Sequence, residues 1–409
     1  MEPFRPERRN PGIPLPNPEY PMVSFRRFAL SVLTLLSLVP AIGQAQASGA
    51  FVVRLGRDTT SVERFTESGG KIVLDQVARA PRVLRRHASY ALTPGGTPTE
   101  VDLLVTGVGV PTGAPPLQHL TARVMNDSIS IEIRADTAVR RSGRALPAGT
   151  AIPVISPWLM YDRLSARLAR SKADSVHTAM LFLGGPDVSW VAVRRLGRDS
   201  VDIETEFDRY HAKVDKAGHL LAVRPIRGTQ QFSVDRVATI DVDATAAAFA
   251  AQEQQGGPLG PLSPRDTARA TVAGANLWVD YGRPSVRGRK IFGGVVPWGE
   301  VWRTGANAAT QFKTDKPLAF GSTVVPAGMY TLWTLPTPDG WTLIINGETG
   351  QWGTEHHADK DLYRIPLSVE TNDSPVERFL IHIADQGDSG QLHIVWDKTV
   401  LAASFTVQQ

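Results

Sequence analysis

Residues 378–396 read RFLIHIADQGDSGQLHIVW, two runs of alternating apolar and polar residues on either side of the turn Asp385–Gly390. Alternation at period two turns one face of each run toward a core, and the Gly- and Asp-rich centre supplies the reversal. An antiparallel hairpin closed there pairs Phe379 with Trp396, Ile381 with Ile394 and Ile383 with Leu392 on one face. On its other face Leu380 meets Val395 and His382 meets His393. A lone hairpin is marginal in water, so more strands must cover the apolar face. Candidates lie at Asn276–Tyr281, Thr323–Val325, Tyr330–Leu335 and Trp341–Ile345. Seven of the nine Trp fall in this part of the chain (Trp278, Trp298, Trp302, Trp333, Trp341, Trp352 and Trp396), which gives it a large apolar payload. These features predict an antiparallel β-sandwich over residues 268–409.

Upstream, Gln252–Pro264 (QEQQGGPLGPLSP) is polar and rich in Gly and Pro, so residues 251–267 read as a flexible linker. The Ala-rich Asp243–Gln254 before it reads as a short helix capped near Asp243. Residues 48–250 contain short alternating runs at Phe51–Leu55, Ser61–Thr66, Ser89–Thr93 and Leu120–Met125, each followed by turn residues. That spacing predicts an antiparallel meander, barrel-like if it closes, and a closed one could hold a lipid-like ligand. One helix interrupts it: Ser156-Pro157 offers an N-cap and first-turn proline, and Met160, Leu164 and Leu168 follow on one face. Leu55–Thr59 (LGRDT) returns as Leu196–Ser200 (LGRDS), and Tyr90–Val101 is echoed by Tyr210–Val223. These echoes suggest two related meander halves, or turn chemistry that converged, with the Arg-Asp pairs as solvated hairpin turns. Trp190, Tyr161 and Phe182 read as core. The expected class is therefore all-β, a meander with one helix followed by a sandwich.

The N-terminus reads as a processing segment. Arg26 and Arg27 precede an apolar run from Phe28 to Ile42, and Ala45-Gln46-Ala47 is a cleavage-type site. Residues 1–47 are thus an expected signal peptide, with Met22 opening a normal n-region and the expected true start. The run is too short to cross a bilayer, no later stretch is long enough, and the chain is expected in the periplasm or outside the cell. Removing the segment takes the net charge from +4 to +2, with 39 basic against 37 acidic residues. No long basic run survives, so nucleic-acid binding is not expected. With 0 Cys, disulfides, thiol catalysis, thiolate metal sites and a lipidated N-terminal Cys are excluded.

Residues Tyr281–Thr310 (YGRPSVRGRKIFGGVVPWGEVWRTGANAAT) closely resemble the signature of the bacterial domain-of-unknown-function family 2911. The resemblance continues through Pro326–Leu332, Trp341–Ile344, Gln351–Gly353 and Trp396-Asp397, covering about 268–405. It implies an exported bacterial protein and a domain type, and it carries no mechanism. The family pattern does not call for His at 356, 357, 382 or 393.

Within that string, Arg283, Ser285 and Arg289, then Trp298, Trp302, Arg303, Asn307 and Thr310, with Trp352 beyond, form the candidate site. Arg offers planar donor forks, Asn, Ser and Thr add donors and acceptors, and Trp faces accept rings. The composition suits a small polar, anionic or carbohydrate ligand. It equally suits Arg forks satisfying loop carbonyls and stacking on core Trp. Four His (356, 357, 382 and 393) lack the spacing of a metal motif, so neither metal nor cofactor is expected. There is no G-x-S-x-G elbow, and Ser389 falls in the hairpin turn. Glu300 with Asp359 or Asp361 is conceivable as a carboxylate pair for glycoside hydrolysis. The sequence therefore favours an exported ligand- or envelope-binding module, with a hydrolase of carbohydrate or envelope material as the rival.

Overall fold

The computed structural model describes residues 47–408, apart from 111, 112, 155, 184 and 186. The expected signal segment up to Gln46 lies outside the described residues. The first strands are β1 (Ala47–Leu55), β2 (Asp58–Ser68), β3 (Lys71–Ala78) and β4 (Leu84–Leu92). They continue as β5 (Pro98–Gly107), β6 (Gln118–Met125), β7 (Ser128–Ala135) and β8 (Ala138–Ala145). After helix α1 (Trp158–Ala169) come β9 (Ser175–Met180), β10 (Ser189–Arg195) and β11 (Ser200–Thr205). Three more follow: β12 (Asp208–Val214), β13 (Leu220–Gly228) and β14 (Ser233–Val237). Each series is an antiparallel meander, and β14 returns to pair with β1, making one 14-stranded sheet.

The sheet does not close into a barrel; β8 and β9 are its edges. Each edge is protected in its own way. Strand β8 is exposed along almost its whole length and carries Arg140 and Arg141, the latter paired with Glu132 at 2.6 Å. Ala151 covers the edge of β9, donating to Ala179 O at 2.8 Å and accepting from Leu181 N at 2.9 Å.

One face of the sheet wraps α1. Met160, Leu164 and Leu168 fall on one side of the helix as their spacing requires, and Trp158, Leu159 and Tyr161 are buried as well. Strands of both meanders supply the surrounding core, Ile72, Tyr90 and Leu103 from the first and Val191, Ile203 and Tyr210 from the second. The Trp158 indole meets Tyr210 edge to face at 5.4 Å. The expected cap is corrected: Ser156 donates to Glu63 Oε2 at 2.5 Å, and α1 starts without a side-chain cap. Trp190 is also corrected from core to surface, standing 45% exposed on β10.

Helix α2 (Val242–Gly256) packs Val242, Ala246 and Phe249 against Val52, Val62 and Val77 on the opposite face. Its cap is Asp241, which accepts from Ala244 N at 2.9 Å, rather than Asp243. Residues 251–256, which composition assigns to a linker, continue this helix, and Gly257 at φ 76° ends it. The connection that remains is tied down where Gly260 N donates to Pro81 O at 2.8 Å.

The second sheet contains β15 (Arg265–Val272), β16 (Ala275–Gly282), β17 (Thr310–Thr314), β18 (Leu318–Phe320) and β19 (Thr323–Val325). It is completed by β20 (Gly328–Thr337), β21 (Gly340–Asn346), β22 (Asp361–Asp385) and β23 (Ser389–Val407). The order is β15-β16-β17-β20-β21-β22-β23-β18-β19. The long β22 pairs first with β21 and then, from Ser368, with β23, so two layers share it. Val279, Phe312 and Leu343 from one layer meet Phe379, Ile394 and Phe405 from the other in a single core.

The hairpin register is as the alternation requires for Leu380–Val395, Ile381–Ile394, His382–His393 and Ile383–Leu392. Phe379 departs from it. Its N–H donates to Pro284 O at 2.9 Å instead of entering the ladder with Trp396, although their rings still meet edge to face at 5.7 Å. The cause is a bulge next to Asp397, whose φ is 53°.

Candidate functional site

The segment between β16 and β17 begins as an added strip along β22. Pro284 O accepts from Phe379 N, Val286 N donates to Glu377 O at 2.7 Å, and Ser285 bridges Arg378. Arg283 braces the strip, its Nε on Phe379 O at 2.9 Å and its Nη1 on Asp266 at 2.7 Å. Arg283 and Ser285 therefore hold the loop. Arg287 reaches across to the first sheet: its carbonyl accepts from Arg57 N at 2.9 Å, and its guanidinium pairs with Asp58. The LGRDT turn is thus a docking contact rather than the solvated hairpin its composition suggests. Gly56 sits there at φ 59°, and a Cβ on it would lie 2.2 Å from Arg287 O, so only glycine fits.

The W-R-T-G-A-N run folds back on the sandwich. Trp302 exchanges backbone hydrogen bonds with Thr334 at 2.8 Å, donates from Nε1 to Gly305 O at 3.1 Å, and stacks on Trp396 at 5.7 Å. Thr304 and Asn307 take φ 49° and 63°, which lets the loop reverse twice within four residues. Thr310 is buried and bonds Thr304 O at 2.8 Å, so its role is internal. Asn307 donates to Ser263 O at 3.4 Å and accepts from Gly353 N at 3.0 Å. Trp352 leans on the first sheet, Nε1 to Thr229 Oγ1 at 3.4 Å and ring to Phe207. Trp298 stands 42% exposed against Phe292 and Trp341, away from these groups.

The loop and the first sheet enclose a cavity of about 440 Å³. Of the sequence-derived candidates, Arg289, Trp302, Arg303 and Asn307 line it; Arg283, Ser285, Trp298, Thr310 and Trp352 do not. Sequence reasoning missed the opposite wall, Thr229–Phe232 between β13 and β14, and the floor, Pro261–Ser263. The available signal was the polar run after Gly228, a glycine at φ 119° whose Cβ would lie 2.3 Å from Phe207 O. A second cavity of about 270 Å³ lies beyond Arg303 and is lined by Glu206, Asp208, Glu300 and His356. Arg303 and Trp302 border both.

Electrostatics set Arg303 apart. Among the described residues it makes no hydrogen bond or ion pair, and its buried Nε has no partner. Burial brings its guanidinium down to about 10, against the pull of the Asp208 charge. Arg289 also falls to about 10, through burial and then the charge of Arg287. Its fork is occupied, however, by Ser285 O at 2.6 Å and Val286 O at 3.2 Å. Asp208 accepts from Gln230 N at 2.6 Å, and burial raises its carboxyl above the ordinary range.

The acids paired with Glu300 from sequence go elsewhere. Asp361 accepts from His356 at 2.8 Å and Asn346 at 2.9 Å, and Asp359 pairs with Lys360 at 2.9 Å. His357 bonds Glu348 at 2.7 Å, and the His382 and His393 rings stack on each other at 4.4 Å. Among the described residues no group of three or more His, Asp or Glu is placed to hold a metal ion, and no helix is long and apolar enough to cross a membrane.

No curated protein matches the sequence. Among solved structures, a DUF1089 family protein from Pseudomonas aeruginosa is similar at 14% identity and a TM-score of 0.30, over 41% of this chain and 90% of its own. A β-barrel-like protein of domain of unknown function DUF1849 from Brucella abortus is similar at 12% identity and a TM-score of 0.30, over 47% of this chain and 93% of its own. The sandwich and its signature loop, residues 263–405, match the family described as "Protein of unknown function (DUF2911)".

Proposed function

We propose that the cleft between the two sheets is a small-molecule site and that the protein works as an exported binding module. One observation carries this: Arg289, Trp302, Arg303 and Asn307 of one loop meet Thr229–Phe232 and Pro261–Ser263 around a single cavity of about 440 Å³. That size lies within the usual range of ligand pockets, roughly 300–1,000 Å³, and the mix of apolar wall with few polar groups is typical of them. Leu262→Trp fills the cleft from its floor. Native mass spectrometry of freshly purified protein should show a bound small molecule that denaturation releases and that Leu262→Trp lacks. An adduct carried equally by both proteins, or by neither, would overturn the reading.

Export rests on Arg26-Arg27, the Phe28–Ile42 run and Ala45-Gln46-Ala47. N-terminal sequencing of the periplasmic or secreted protein should begin at Ser48. A cytoplasmic protein with its N-terminus intact contradicts it.

A second reading, hydrolysis of envelope carbohydrate, is favoured by Glu206, Asp208 and Glu300 lining one cavity, with burial raising Asp208. Two carboxyl groups in different surroundings that face one space can act as acid and base. Release of reducing ends from envelope glycan, lost in Asp208→Asn and in Glu300→Gln, would establish it. Equal release by the variants would exclude it.

A further inference from the structure

Resting on the reading of the cleft as a small-molecule site, we propose that its ligand is an organic anion, a carboxylate or equivalent phosphate head on an apolar body, anchored by the Arg303 guanidinium. The cavity lining contains two guanidinium groups, Arg289 and Arg303, and no carboxylate. Buried cations are normally paired, because leaving water without a partner is costly. Arg303 departs from that rule: its buried Nε is unbonded, and the counter-charge that acts on it, Asp208, stands off toward the second cavity without forming an ion pair. A Met or Leu stem would pack at this position without the penalty, and Asp208 makes no contact with the guanidinium, so its donors are left for a closer partner that arrives from outside.

The surrounding groups narrow the class. Arg289 spends its fork on Ser285 O and Val286 O, which leaves it contributing positive potential to the cavity rather than a free donor edge. Asp208 lies on the side of the second cavity, with Oδ1 occupied by Gln230 N. Asn307 is engaged with Ser263 O. Arg303 is thus the one guanidinium of the lining with its donors uncommitted among the described residues, and its planar fork matches a carboxylate or phosphate. Two like charges exclude a cationic ligand. Leu55, Phe232, Leu262, Val295, Trp302 and Trp396 make much of the remaining wall apolar, with Thr229–Gln231 as its polar stretch, so an apolar or ring-shaped body suits the space behind the head.

Four probes of one shape separate the possibilities: benzoate, phenyl phosphate, benzamide and benzylamine, titrated calorimetrically into the purified full-length mature chain. Benzoate or phenyl phosphate should bind, and whichever is tighter names the head. Benzamide and benzylamine should bind weaker by roughly tenfold or more. Arg303→Met should lose the anion preference while its unliganded thermal midpoint equals or exceeds that of the parent, and Arg303→Lys should keep part of it. Leu262→Trp should abolish all binding. Benzamide binding as tightly as benzoate, unchanged in Arg303→Met yet lost in Leu262→Trp, would overturn the anion and leave the cleft reading standing. Anion binding untouched by Leu262→Trp would place the site elsewhere and overturn both. Failure of every probe to bind the parent protein at millimolar concentration would also overturn the proposal.

Discussion

Gly353 lies so close to Arg303 that a Cβ built on it would fall 1.9 Å from Arg303 Cδ and 2.3 Å from Asn307 O. The Q-W-G element of the sequence therefore supplies a groove in which the stem of the unpaired arginine rests. Gly353→Ala must displace either the stem or the backbone of the W-R-T-G-A-N loop. Overpacking of this kind costs about 1–3 kcal/mol. A lowered urea midpoint is expected, and an unchanged one would mean that Arg303 does not occupy this groove.

The seam between the sheets gives a second test. The Arg287 side chain is 8% exposed and its charge is met by Asp58. Asp58→Ala leaves that guanidinium uncompensated, and because Asp58 keeps part of its surface in water the expected loss is about 2–3 kcal/mol. Adding Arg287→Met should recover most of it, as equilibrium denaturation of the single and double variants would show. Additive losses would mean that the pair does not form.

Glu63 makes stability depend on pH. Burial pushes its carboxyl up to about 7, while donation from Ser156 and Gln76 holds it down in part, and Oε1 has no partner. The folded chain therefore keeps a proton that the unfolded chain has already released, so this group's contribution is full below about 4.5 and is lost as pH rises through 7. Glu63→Gln should be more stable than the parent at pH 8, by on the order of 3 kcal/mol, and the gap should shrink toward pH 4.5. A gap independent of pH would show that Glu63 is ionised throughout.

His382 and His393 act with the opposite sign. Burial lowers both imidazoles, and for His393 the neighbouring His382 charge adds to the effect. Unfolded imidazoles take up protons first, so stability present above about 6.5 falls as the pH drops below it. NMR titration should find both rings with midpoints below 6.5, and His382→Gln should move His393 upward. Two ordinary titrations would mean that the rings do not stack.

Much of the fold was legible because period-two alternation is a direct consequence of the pleat: His382 had to face His393 once Ile381 faced Ile394. The exceptions arise where a distant segment competes for a local group. Pro284 takes the Phe379 amide and Glu63 takes the Ser156 hydroxyl, and neither partner is near in sequence. The site was legible only in part for the same reason. Composition marks Arg283, Arg289 and Arg303 alike, yet the fork of Arg283 meets Phe379 O and Asp266, that of Arg289 meets its own loop carbonyls, and Arg303 alone stays uncommitted. The facing wall at Thr229–Phe232 could not be paired with this loop before the LGRDT turn was seen to dock on Arg287.

The most direct measurement is a crystal structure of the protein grown with 4-bromobenzoate, with the bromine located by its anomalous signal. The expected peak lies in the cleft among Phe232, Trp302 and Trp396, with the carboxylate within hydrogen-bond reach of Arg303. A bromine bound outside the cleft, or a carboxylate turned away from Arg303, would contradict the account.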